Sequence, residues 1–221
     1  MIIRQLANCT SDAKTKLALD LCIKIFEENL NFQISGTFMP NPGLFNLEED
    51  VILPVIQIFN LPRQTLEFRR ELGLPNLQLL VDKTKVQRVL VQLVKKAFEL
   101  DVGAPEQRRV MISLTTKSHK PDEDEDQVNY ILLAVFSQNN FVSEQDKNFQ
   151  IDQVFDKFIV KDEMQSVKFE NECIVGKYIS LACNGKLIDL HPEDEPFGTQ
   201  FEGQEILFLL AIQASHCVIV P

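Results

Sequence analysis

The chain is expected to fold as an α/β (α+β) two-layer sandwich. Its sheet should be mixed and largely antiparallel, covered on one face by helices and preceded by an N-terminal helix. Three observations carry this expectation. Residues 82–100 are strongly amphipathic at helical spacing, several apolar runs have strand length, and helical and strand-like stretches alternate along the sequence. Residues 1–31 read as the N-terminal helical unit and 32–221 as the sandwich domain.

In chain order, DAKTKLALDLCIKIFEENL (12–30) places Leu17, Leu21, Cys22, Ile25 and Phe26 at helical spacing, with Asp12 as N-cap. FQISGTFMPNPG (32–43) reads as a short strand ending in a Pro/Gly turn. A second helix is expected over 46–60, capped by Asn46 and favoured by Glu48, Glu49 and Asp50 in its first turn. Pro54 should kink it or delay its start. TLEFRREL (65–72) and NLQLLV (76–81) read as strands around the turn at Gly73–Pro75. In 82–100, Val86, Val89, Leu90, Leu93, Val94 and Ala97 follow the i, i+3, i+4, i+7 pattern. Asp82 is placed to cap that helix. This helix should bury Val89, Leu90, Leu93 and Ala97 and expose Arg88, Gln92 and Lys96.

RRVMISL (108–114) and VNYILLAVF (128–136) read as strands, the second too apolar throughout for an edge. The charged SHKPDEDEDQ between them reads as a solvated connection, since a calcium loop would need glycine and spaced ligands. A short helix is expected at 151–158 and a longer one at 168–183, the latter ending at Asn184–Gly185. KLIDL, EILFLLAI and SHCVIV close the chain as strands.

Composition narrows the function classes. Twenty-two basic against 32 acidic residues give a net charge of -10, which argues against a general nucleic-acid binder. No apolar run is long enough for a membrane span, and MIIRQLANCT lacks the order of a signal peptide. The five cysteines (Cys9, Cys22, Cys173, Cys183 and Cys217) are odd in number and dispersed. They fit neither a disulfide framework nor a cysteine-rich zinc site, and point to an intracellular, reducing compartment. No Ser/His/Asp arrangement, HExxH or P-loop is present.

At 82–100 the sequence resembles the ATP-binding domain of histidine kinases, the GHKL superfamily. In VDKTKVQRVLVQLVKKAFEL, Asp82, Lys85, Val86, Val89, Leu90, Leu93, Val94 and Ala97 fall in register with the family helix. Collinear blocks extend the similarity over most of 17–210. LALDLCIKIFEENLNF resembles the second helix of the dimerisation hairpin, and LFNLEEDVILPVIQIF the opening of the domain. QVFDKF (153–158) resembles the Phe-x-x-Phe box, VGKYISLACNGKLI (175–188) the helix and following turn, and GQEILFLL (203–210) the closing strand.

The resemblance implies a nucleotide site whose chemistry this chain lacks. Lys96 stands where an Asn would hold the bridging magnesium, and Gln92 at the preceding Asn position. Ser137 replaces the Asp that would read adenine, while Asn139 and Phe141 stand for glycines of the same motif. Lid glycines fall at Lys168, Glu170 and Glu172, and residues 104–175 contain no glycine at all. Phosphate-cradling loops need glycine so that backbone N–H groups can approach the anion. Each unmatched polar recognition group costs about 1–3 kcal/mol. No His precedes His119, so the phosphoacceptor of a histidine kinase is missing too.

The expectation is a degenerate domain without catalytic residues, metal or cofactor, serving as a pseudokinase-like structural or regulatory subunit. The alternative is a divergent but active kinase or ATPase that binds ATP and magnesium in two-component-type signalling. Two surfaces are candidates for protein partners. Lys83, Lys85, Arg88, Lys95 and Lys96 make the 82–100 helix basic, either as a solvated face or as a strip for an acidic partner. A third alternative has Lys96 reaching into the former nucleotide cleft. Leu17, Leu21 and Ile25 form the N-terminal stripe, which either packs on its own domain or joins a homo- or hetero-oligomer.

Overall fold

The computed structural model describes residues 12–35, 41–59, 64–74, 76–100, 108–120, 126–137, 144–160, 186–189, 206–213 and 217–219. The four helices of this part are α1 (Ala13–Ser35), α2 (Leu53–Phe59), α3 (Lys83–Leu100) and α4 (Glu144–Phe155). Its eight strands are β1 (Gly43–Asn46), β2 (Gln64–Arg70), β3 (Leu77–Val81), β4 (Arg108–His119), β5 (Val128–Ser137), β6 (Lys186–Asp189), β7 (Ile206–Gln213) and β8 (Cys217–Ile219).

They form two sheets. The larger has the order β2-β4-β5-β7-β6, parallel only at β2–β4 and antiparallel elsewhere. The smaller is antiparallel, in the order β1-β3-β8. The fold class is therefore the expected one, a helix-covered, mixed and largely antiparallel α/β sandwich with a helix in front. The strands β2 and β3, adjacent in sequence, are not a hairpin but enter different sheets. The turn between them puts Gly73 at φ 82°, in the left-handed region, and closes with the Leu74 N–H donating to Glu71 O at 3.2 Å.

The period of two along the central strands explains the core. Val110, Ile112 and Leu114 of β4, Ile131, Leu133 and Val135 of β5, and Phe208, Leu210 and Ile212 of β7 share one face. That face packs against Val55 of α2, against Val86, Val89, Leu90, Leu93, Val94, Ala97 and Phe98 of α3, and against the inner side of the small sheet. The intervening residues Met111, Leu132, Ala134, Phe136, Leu209 and Ala211 are equally buried, on the opposite face.

A sheet apolar on both sides needs two covers, and here the structure adds to the one-sided expectation. Ile151, Val154 and Phe155 of α4, with Ile159 beyond it, seal the second face. Tyr130 meets Phe155 edge-on, with ring centroids 5.6 Å apart, and Lys117 of β4 pairs with Asp152.

Three boundaries differ from expectation. Residues 32–35, read as the start of a strand, continue α1, so the domain boundary placed at 31/32 falls inside a helix. Elongation adds one hydrogen bond per residue fixed, and no Gly or Pro interrupts the sequence before Gly36. Residues 36–40 of the strand expected in 32–43 lie outside the described residues, and the first described strand is Gly43–Asn46. The helix expected at 151–158 begins earlier, at Glu144, and runs into a wide π-helical turn at Asp156–Val160.

The helix expected at 46–60 forms in two parts, a π-helical turn Glu48–Ile52 and then α2. Pro54 has no N–H to donate, and its ring crowds the carbonyl four residues back. The wider turn, in which Leu53 N–H reaches Glu48 O, relieves that crowding just before the proline. Asn46 caps this unit as expected, its Oδ1 accepting from the N–H groups of Glu48 and Glu49 at 3.0 Å each. Asp50 Oδ2 accepts the Asn46 N–H at 2.9 Å in return, which completes a reciprocal cap. The helix expected at 168–183 lies outside the described residues.

Candidate functional site

The site is built on α3. Asp82, buried just before its first turn, accepts the Lys85 N–H at Oδ1 (3.2 Å), while its main-chain carbonyl accepts from Lys85 and Val86. Asp82 Oδ2 also accepts the Asn41 N–H at 2.9 Å, so one carboxylate fixes both the helix start and the segment entering β1. Lys83 Nζ lies 3.3 Å from Asp50 Oδ1, tying α3 to the π-helical turn before α2.

The inward face of α3 is as expected, with Val89, Leu90, Leu93 and Ala97 all buried. The outward face is not. Arg88, Gln92 and Lys96, expected in solvent, are each half-buried. Lys96 Nζ stands 5.7 Å from the centroid of the Phe208 ring on β7. That ring is wholly buried at the sheet surface, and the aliphatic stem of a lysine can lie along apolar surface while the ammonium caps it. Lys85 is 5% exposed and so adds little to a surface strip. Lys95 is exposed and pairs with Glu99 one turn on, at 3.7 Å. The basic run in the sequence is therefore no single face: one lysine is buried, one lies over an aromatic ring, and two are paired with carboxylates.

Ser137 is the last residue of β5, opposite Val110. Just before it the β5–β7 register shifts between Val135 and Phe136, so that Phe136 pairs with Ile206. Asn139, Phe141, Lys168, Glu170 and Glu172 lie outside the described residues. What the described part brings together is Lys96 and Phe208, with Gln92 one turn before Lys96 on the same helix. An ammonium over an aromatic ring can hold an anion as a point charge, but it supplies no oxygen ligand for a metal. Among the described residues no group of three or more His, Cys, Asp or Glu side chains is placed to hold a metal ion.

The second candidate surface is α1, which packs on α2 and α3. Leu21 is 6% exposed within the single chain and Leu17 is half-buried, so this stripe is turned toward its own domain. The side chain of Ile25 lies outside the described residues. Cys22 and Phe26, grouped with this stripe in the sequence, lie on another side of the helix. Cys22 is exposed and Phe26 is 60% exposed, and with Leu19 they form a second line at i, i+3, i+7. The signal was present, since apolar residues occupy far more of this helix's circumference than one contact can cover. No described helix is long and apolar enough to cross a membrane.

No family model matches the chain, and no curated protein matches it either. Among solved structures it is similar to the catalytic domain of the histidine kinase ThkA in a nucleotide-free form. The identity is 18% and the TM-score 0.44, over 78% of this chain and 97% of that one.

Proposed function

We propose that the chain is a non-catalytic, histidine-kinase-like module, a pseudokinase in kind, acting as a structural or regulatory protein-binding subunit of a larger assembly. One observation carries the reading. Lys96, at the position where the family resemblance implies a magnesium-holding Asn, is half-buried with its ammonium over Phe208. A fixed cation there repels a divalent metal. The other substitutions act in the same direction. Gln92, Ser137, Asn139 and Phe141 remove polar recognition and glycine, and Lys168, Glu170 and Glu172 stand in a stretch without any glycine.

Thermal unfolding with and without ATP and magnesium tests this. A ligand present at 100 times its dissociation constant stabilises by about 2.7 kcal/mol, which is several degrees for a chain of this size. The expected shift is nil. A shift of several degrees that requires both ATP and magnesium would overturn the proposal in favour of a divergent, active ATP-binding kinase or ATPase.

A further inference from the structure

We draw no further inference here: the strongest candidate, the open face of the small sheet where Leu44 and Leu80 stand side by side on β1 and β3, carries none because nothing in the structure shows what covers it.

Discussion

Single side chains divide sharply into those the fold depends on and those it does not. Leu93 is buried between α3 and the sheet face formed by β4, β5 and β7. Its truncation leaves a cavity that rigid strands cannot fill. Leu93→Ala should therefore cost about 2–5 kcal/mol in urea unfolding. Leu44 and Leu80 are cross-strand partners on the open side of the small sheet and are about half exposed. Substituting either should change stability by no more than about 0.5 kcal/mol in the same experiment. Asn46 falls between these limits. Its Oδ1 satisfies two N–H groups of the π-helical turn, so Asn46→Ala should cost about 0.5–2 kcal/mol, while Asn46→Asp should keep most of the cap.

At the scale of elements, α4 offers a clean partition between burial and charge. Ile151 is buried on the second sheet face, whereas the Lys117–Asp152 pair beside it is half open to solvent. Ile151→Ala should cost about 2–5 kcal/mol, and Lys117→Ala less than about 1 kcal/mol. Equal losses, measured by chemical unfolding, would mean that the ion pair and not the apolar contact holds α4.

The same elements show what the sequence could and could not reveal. The helix α3 was legible because six apolar residues keep one spacing with a capping Asp before them, and β5 because no edge strand is apolar on both faces. The side chosen by α4 was not, because period-two burial says that a face is covered without saying by which element. The end of α1 was misread because Phe32 and Ile34 have strand propensity, and helix elongation outweighed it. Which partner each basic residue of α3 meets was not legible, because spacing fixes a residue's direction on a helix, not the carboxylate or ring it meets.

On the scale of the whole molecule, α2, α3 and the small sheet close one face of the five-stranded sheet, and α4 closes the other. On the proposed reading, a nucleotide cleft on this framework would need several independent substitutions, because the positions concerned are spread over separate segments. Lys96 belongs to α3, Ser137 ends β5, and Lys168, Glu170 and Glu172 lie far along the chain. Lys96→Asn removes the cation over Phe208 and supplies the one amide that the family resemblance implies for magnesium, and Gln92→Asn supplies a second. Neither returns a carboxylate at position 137 or any glycine between 104 and 175. With each unmatched recognition group costing about 1–3 kcal/mol, the deficit left after both substitutions still amounts to a loss of several powers of ten in affinity. The double variant should therefore fold, show no nucleotide-dependent rise in melting temperature, and differ from the parent only by the lost cation–π contact, about 0.5–1 kcal/mol. Isothermal titration with ATP and magnesium checks this directly. Micromolar binding by the double variant would mean that α3 alone had silenced the site, and the reading of a domain degenerate throughout would have to be given up.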